Sequence, residues 1–200
     1  MSTFTGERND AGDREGRGTM HFVSGALYSG EWRAGVREGY GIMRFAGGET
    51  YEGQWVGNQC EGHGVHTYAD GSTYDGEWLA SRRDGEGVYT FANGSRFEGA
   101  YRNGLRDGVG TFYFPNGVAQ ISRFEAGEAR REGARWSNDH DGLPSTAASR
   151  HVVWRMRDGM VDGSISLIEA EAIAQRLSVR VPQPIAPLLS AEEHAPAVVI

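Results

Sequence analysis

The feature that most constrains this chain is an internal period of 23 residues. Paired glycines recur at this spacing five times without a gap. The first glycines of the pairs are Gly16, Gly39, Gly62, Gly85 and Gly108, and each is followed two residues later by the second. Since a fixed period is typical of proteins whose units stack on their neighbours, we expect a repeat array rather than a single globular core.

Other positions recur in the same period. Six residues after each first glycine stands an aromatic residue: Phe22, Phe45, Tyr68, Phe91 or Phe114. Then follow the blocks YSGEW (28–32), YEGQW (51–55), YDGEW (74–78) and FEGAY (97–101), whereas the fifth block, QISRF (120–124), lacks the tyrosine and the glycine. Paired glycines followed by Tyr-x-Gly-x-Trp at this period resemble the MORN repeat family, over residues 16 to about 130.

Each repeat predicts one β-hairpin. Two short stretches of β-branched and aromatic residues are joined by a pair such as Asp70-Gly71 or Asn93-Gly94, which tolerates the positive φ angles of a two-residue turn. Ten strands at about 4.8 Å spacing give an array on the order of 50 Å long. The predicted fold is therefore all-β: an elongated, single-layer, twisted antiparallel sheet of tandem MORN β-hairpins, with one short C-terminal capping helix.

The repeats also define the expected domain boundaries. Residues 1–15 are a polar N-terminal segment, in which FTGER (4–8) indicates either a degenerate half-repeat or a frayed tail. Residues 16–131 hold the five repeats. Residues 132–180 are expected to form a terminal hairpin, from GARWS (133–137) and HVVWRMRDG (151–159), and a helix that begins at the capping box of Ser166 and Glu169. Residues 181–200 are rich in Pro and Ala and are predicted to be disordered.

Charge and composition exclude several classes of protein. All 20 basic residues are arginine and the net charge is −7, which disfavours nucleic-acid binding and general attraction to an anionic membrane. Cys60 is the only cysteine, so no intrachain disulfide forms and a reducing compartment is favoured. We find no signal peptide and no apolar run long enough for a transmembrane helix. These features indicate a soluble, cytoplasmic protein.

No motif in the sequence predicts catalysis, a cofactor or a metal site. The Gly-x-Gly pairs recur between strands without the helix that a phosphate-binding loop needs. Cys60, His63 and His66 have a metal-like spacing, but in a strand His63 and His66 point to opposite faces. Acidic residues are expected as a solvated row on the polar strand face: Glu31, Glu52, Asp75, Glu77 and Glu98. The pairs Arg82-Arg83 and Arg130-Arg131 are interpreted as solvated charge in loops.

The remaining candidate for function is a row of aromatic residues. Its members are Tyr28, Trp32, Tyr51, Trp55, Tyr74, Trp78, Phe97 and Tyr101. Most are expected to form the core between hairpins. Because a single sheet has no second layer, part of this row, or an opposite row of Met20, Phe22, Met43, Phe45, Tyr68, Tyr89 and Phe91, must stay accessible and is a candidate site for binding a partner.

The resemblance implies three functions. The first is a non-enzymatic scaffold that binds a protein partner or another copy of itself, in cytoskeletal or ciliary assemblies. The second is an adaptor that binds anionic phospholipid, although the negative charge of the chain opposes it. The third is an accessory module for a lipid kinase or a methyltransferase, because MORN repeats accompany such domains. We predict the scaffold.

Overall fold

A computed structural model describes residues 1–137, 152–157, 160–165 and 172–173. Within these ranges the chain forms one 14-stranded antiparallel sheet. The strands are β1 Thr3–Arg8, β2 Arg14–His21, β3 Leu27–Arg33, β4 Val36–Arg44, β5 Thr50–Val56, β6 Gln59–Thr67, β7 Thr73–Leu79, β8 Arg82–Thr90, β9 Arg96–Arg102, β10 Leu105–Tyr113, β11 Ala119–Glu125, β12 Glu128–Ser137, β13 Val152–Arg157 and β14 Met160–Ile165. Each strand pairs with the next along the chain, so the sheet is a single open, twisted layer. The predicted all-β repeat fold is confirmed.

A row of glycines crosses the sheet at right angles to the strands. Gly18 pairs with Gly6 on one side and with Gly30 on the other. The same glycine-to-glycine pairing continues through Gly41, Gly53, Gly64, Gly76, Gly87, Gly99 and Gly110. We call this row the glycine line; it ends where Gly110 pairs with Ser122. The second glycine of each pair in the sequence therefore lies directly opposite a glycine of a neighbouring strand.

The turn inside each hairpin differs from the predicted one. Tyr68 N–H donates to Ser72 C=O at 2.8 Å, and Gly71 N–H donates to Tyr68 C=O at 3.0 Å, which makes a three-residue loop. Gly71 has φ of 84°, whereas Asp70 is not among the residues with positive φ. Instead, the Asp70 carboxylate accepts a hydrogen bond from Ser72 N–H at 2.9 Å. The prediction of positive φ at both residues was wrong because the Asp side chain closes the loop without it.

Two-residue turns with two positive φ angles occur at the other end of the hairpins. They connect one hairpin to the next at Ala34-Gly35, Gly57-Asn58, Ala80-Ser81, Asn103-Gly104 and Ala126-Gly127. This geometry matches the right-handed twist of the flanking strands. The third of these turns contains no glycine, so two side-chain-bearing residues take left-handed angles there.

The first glycine of each repeat pair lies at a β-bulge. Between β3 and β4 the register shifts after Gly30, and Gly39 takes φ of 65° at the shift. The Glu31 carboxylate lies beside Gly39 and accepts a hydrogen bond from Tyr40 N–H at 3.3 Å. Glycine is required here because the left-handed angle disfavours a Cβ.

At the C-terminal side the sheet continues beyond the repeats. The expected strand at 133–137 is the last part of β12, and β13 lies within the expected strand at 151–159. A further strand, β14, was not predicted. Of the predicted helix, only Ala172 and Ile173 are described; both are helical, and Ile173 is buried. The structure does not describe the rest of that helix or the tail 181–200. It also does not describe the side chains of Arg130 and Arg131. At the N-terminal side, residues 3–8 pair with β2 as a strand.

Candidate functional site

The two faces of the sheet have different chemistry. One, which we call the aromatic face, carries the Tyr and Trp of every Tyr-x-Gly-x-Trp block. The other, the polar face, carries the two residues written x in each block. The eight candidate binding residues all lie on the aromatic face and are buried: Tyr28, Tyr51, Tyr74 and Phe97 (each 0% exposed), Trp55 (3%), Trp32 and Tyr101 (4%) and Trp78 (9%). They form the core of the array.

Edge-to-face ring contacts link these residues across repeats. Tyr51 lies 5.1 Å from Trp55 in its own block and 5.3 Å from Trp78 in the next, measured between ring centroids. The same pair of contacts is made by Tyr28 and by Tyr74. Such pairs contribute about 0.5–1.5 kcal/mol each beyond the area they bury. The rings thus couple each repeat to the next.

Glycines make room for the tyrosine rings. A Cβ placed on Gly64 would overlap the Tyr51 ring, and the same holds for Gly41 under Tyr28. The Tyr51 hydroxyl donates to Gln54 C=O at 3.0 Å. Burial raises the pKa of this tyrosine well above its usual value. A glycine line therefore lets a one-layer sheet bury large aromatic rings.

The row expected on the opposite face lies on the aromatic face as well. Met20 pairs directly with Tyr28, and Met43 with Tyr51, so their side chains point to the same side. Sequence alternation within a strand cannot tell which face of the neighbouring strand a residue shares, because the register between strands decides it. The members that are half-buried are Met20, Phe22, Phe45, Tyr68, Tyr89 and Phe91. These residues, unlike the eight above, combine apolar side-chain surface with access to solvent.

An arginine recurs on the aromatic face with the 23-residue period. We call Arg14, Arg37, Arg83 and Arg106 the arginine column. The Arg37 guanidinium carbon lies 4.3 Å from the centre of the Trp55 ring, and that of Arg14 lies 4.3 Å from Trp32. Arg83 lies 5.0 Å from Tyr101. These distances are within the range of cation–π attraction.

The arginine column also fastens the turns between hairpins. Arg37 donates to Asn58 C=O at 2.9 Å, and Arg83 donates to Gly104 C=O at 2.7 Å. The interpretation of Arg83 as solvated loop charge was wrong: its side chain is half-buried on rings within β8. The signal was present in the sequence, as four arginines spaced by 23 or 46 residues.

One depression opens on the aromatic face beside strands β8, β9 and β10. It has a volume of about 320 Å³. Its walls include Arg83, Arg106, Tyr89, Phe91, Tyr101 and Leu105. Two members of the arginine column thus lie beside three rings and an aliphatic side chain that is 51% exposed.

The comparison with known families agrees with this repeat geometry. The sequence model of the MORN repeat matches residues 11–27, 28–50, 51–73, 74–96 and 97–118, together more than half of the chain. The chain belongs to the MORN repeat family. The MORN repeat is a non-catalytic module, and each matched unit ends within a hairpin turn or beside it.

The solved structures that match this chain have low sequence identity to it. The TCP domain of SAS-4 from Drosophila melanogaster, in complex with a proline-rich motif of Ana2, is 14% identical, with a TM-score of 0.43; the match covers 82% of this chain and 90% of that one. The wild-type TCP10 domain of CPAP from Danio rerio is 13% identical, with a TM-score of 0.31, over 80% and 93% of the two chains. No curated protein sequence matches the chain.

Among the described residues we find no helix with the length and apolar character needed to cross a membrane.

The third MORN repeat departs from its neighbours on the aromatic face. Cys60 takes the place of the arginine, and burial raises the pKa of its thiol. His66 takes the place of a methionine or an aromatic residue, and lies 4.2 Å from the Tyr68 ring. His63 lies on the polar face, 3.1 Å from Asp75, so the two histidines point to opposite sides as strand alternation predicts. Cys60 and His66 therefore belong to the ring-lined core and His63 does not.

The acidic residues expected as a solvated row lie on the polar face. Glu31, Glu52, Asp75 and Glu77 are exposed and Glu98 is half-buried. Several of them have structural partners: Glu52 accepts a hydrogen bond from the Tyr40 hydroxyl at 2.6 Å, which raises the pKa of that tyrosine. Glu98 pairs with Arg96 at 2.9 Å. This acidic row therefore lies on the polar face, and the arginine column lies on the aromatic face.

Proposed function

We propose that this protein is a non-enzymatic interaction scaffold that binds an extended segment of a protein partner along its aromatic face. The supporting observation is the depression between Arg83 and Arg106, where rings and guanidinium groups are both accessible. The proposal moves the binding surface from the eight buried aromatic residues to the half-buried ones beside them.

The chemistry of this surface supports a protein ligand. Aromatic residues and arginine are the usual anchors of protein interfaces, because they combine large contact area with directional polar groups. Successive repeats place equivalent residues two strands apart, which is about 9.6 Å. This distance equals about three residues of an extended chain, so one peptide could contact several repeats in register.

The arginine column indicates the charge of the partner. None of the ion pairs between described residues includes Arg14, Arg37, Arg83 or Arg106. The guanidinium groups of Arg14, Arg37 and Arg83 donate to backbone carbonyls, and those of all four lie on rings, which leaves the positive charge uncompensated by a carboxylate. An acidic partner segment fits this face better than a basic one.

The test uses a matched pair of exposed leucines. Leu105 lines the depression and is 51% exposed, whereas Leu79 is 53% exposed and does not line it. Tagged full-length chains carrying Leu105→Asp or Leu79→Asp are compared with the original chain by quantitative affinity purification from cells. We expect a discrete set of proteins to be retained by the Leu79→Asp chain and reduced at least tenfold with Leu105→Asp.

The outcome of the same purification distinguishes the alternatives. If no captured protein depends on Leu105, the aromatic face is not the binding surface and the proposal fails. Vesicles containing anionic phospholipid are tested in parallel, since binding that depends on the arginine column would instead indicate the phospholipid adaptor. Assignment to cytoskeletal or ciliary assemblies, or to a lipid kinase or methyltransferase complex, follows from the identity of the captured proteins.

A further inference from the structure

The first strand of the sheet leaves one backbone edge open. β1 pairs with β2, and no other described strand pairs with its outer side. Thr5, Gly6, Glu7 and Arg8 are exposed in this strand. An open edge offers unpaired N–H and C=O groups to another strand.

β1 has the pattern of a Tyr-x-Gly-x-Trp strand with two substitutions, Phe4 for the tyrosine and Arg8 for the tryptophan. Phe4 stands in the tyrosine position: its ring lies against Gly18 and makes an edge-to-face contact with Trp32 at 5.5 Å. Gly6 continues the glycine line. Arg8 stands in the tryptophan position, where the interior tryptophans donate to a glycine carbonyl of the preceding strand. The outer neighbour that suits β1 therefore differs from an ordinary repeat strand.

The hydrogen-bond alternation of the sheet gives the direction of the Gly6 backbone groups. Phe22 N–H donates to Ala26 C=O at the turn, so by alternation Gly18 and Gly30 form a hydrogen-bonded pair. The N–H and C=O of Gly18 then point toward Gly30 and away from Gly6, so Gly6 and Gly18 form a non-hydrogen-bonded pair. The short distance between the two strands at this point agrees, since a Cβ on Gly6 would lie 2.5 Å from Gly18 Cα. The N–H and C=O of Gly6 consequently point outward from the sheet edge.

We propose that the outer edge of β1 binds β1 of a second copy of this chain in antiparallel register, with the two Gly6 residues paired. Gly6 N–H and C=O would then exchange two hydrogen bonds with their symmetry mates, which continues the alternation of the glycine line. Phe4 would lie opposite Arg8 of the second copy, on the aromatic face. The same pairing of a ring with an arginine occurs inside the array, where Trp32 pairs with Arg37.

The polar face fits the same register. Thr5 would lie opposite Glu7 of the second copy, so no like charges face each other across the two strands. The contact is isologous, because each copy contributes the same six residues and the pair closes under a twofold axis. A second copy is the partner that fits, because the side chains, the charges and the outward N–H and C=O groups of β1 all match those of an antiparallel β1. It does not depend on the aromatic face binding a partner.

Disulfide trapping tests the register directly. Thr5 and Glu7 of the second copy would form a non-hydrogen-bonded pair, whose Cα separation of about 4.5 Å allows a disulfide. Full-length Thr5→Cys and Glu7→Cys chains with different tags are mixed and oxidised. We expect the mixed disulfide to exceed either homodimer at least fivefold, because two Thr5 residues would be separated by more than a disulfide can span. The original chain, with buried Cys60, is the control for adventitious linkage.

A second measurement tests the backbone contact without cysteines. Sedimentation velocity of the original chain should show a dimer fraction that rises with concentration. Arg8→Pro removes an outward N–H, so it should abolish the dimer, whereas Arg8→Ala keeps this N–H and should retain part of it. Circular dichroism confirms that both variants fold. A chain that stays monomeric up to its solubility limit, or mixed disulfides no more abundant than the homodimers, would overturn the proposal.

Discussion

At the scale of single residues, one column of the aromatic face shows how the environment changes what a side chain does. His66 occupies the column that holds Met20, Met43, Tyr89 and Phe112 in the other repeats. Its Nδ1 atom is buried without a hydrogen-bond partner. Burial lowers the pKa of this histidine; Glu49 opposes the shift and Arg83 adds to it. The protonated form is therefore disfavoured in the folded protein.

This shift predicts a pH dependence of stability. A histidine in the unfolded chain has a pKa near 6.5, about the usual value, and takes up a proton before folded His66 does as the pH falls. The free energy of unfolding should thus decrease from about pH 6.5 downward, until the lower folded pKa is reached. His66→Met, which restores the residue of the first two repeats, should flatten this decrease. Urea unfolding at several values between about pH 7 and 5.5 measures it.

The matched control is His63, which lies on the opposite face of the same strand and is exposed. His63→Gln should keep the dependence seen in the original chain. If His66→Met and His63→Gln show equal slopes against pH, the buried histidine is not responsible.

At the scale of elements, two turn types alternate and make different demands on the sequence. Most of the three-residue turns combine a glycine with an Asx or Ser side chain that accepts a hydrogen bond, as Asn93 does from Ser95 N–H at 2.9 Å, whereas the turn of Ala46, Gly47 and Gly48 has a second glycine in that position. The two-residue turns need two positive φ angles. In the turn of Ala80 and Ser81 these angles are 49° and 63°, although neither residue is glycine or asparagine. A hydrogen bond from Cys60 N–H to the Ser81 hydroxyl, at 3.0 Å, holds this turn.

Ala80→Gly should therefore stabilise the protein. A residue with a Cβ costs about 1–2 kcal/mol in the left-handed region, and glycine removes this cost. Glycine also makes the unfolded chain more flexible, which offsets part of the gain. We expect a net gain of about 0.5–1 kcal/mol in the free energy of unfolding, measured by urea denaturation. Ala69→Gly is the control, because this exposed loop residue is not among those with positive φ. It should lose about 0.5–1 kcal/mol, and a loss at both positions would contradict the assignment of strain to Ala80.

At the scale of the whole molecule, the array is held together by contacts between neighbours. The rings of one block contact the next block, the arginine column fastens the following turn, and the glycine line runs through ten strands. These contacts recur with the 23-residue period, except that Cys60 replaces the arginine in one repeat. The molecule should consequently tolerate a change in the number of repeats better than a change in the period.

Deletion of residues 51–73 tests this property. It removes one complete period, so Thr50 would precede Tyr74 as it precedes Tyr51 in the original chain. We expect a folded, shorter sheet that unfolds cooperatively at a lower urea concentration. Deletion of residues 51–74 removes one more residue, which takes away a core tyrosine and shifts the following side chains to the other face. It should fail to give a cooperative transition, and equal stability of the two deletions would show that the period does not determine the fold.

The sequence by itself determined the period, the repeat family and the alternation of Tyr, Gly and Trp on one face of a strand. These features are local or recur along the chain, so they can be read without knowing which strands touch. The tertiary structure alone decided the register, and with it two results: the Met and Phe row shares the aromatic face, and the arginines stack on rings from another strand. It also showed that all eight residues of the first aromatic row are buried, where the sequence predicted most of them. Pairing across strands places these groups together, and no spacing within one strand contains that information. The glycines illustrate the division, since their spacing showed the repeat and their place after Asp or Asn predicted turns, but only the register showed that ten of them form one line beneath the rings.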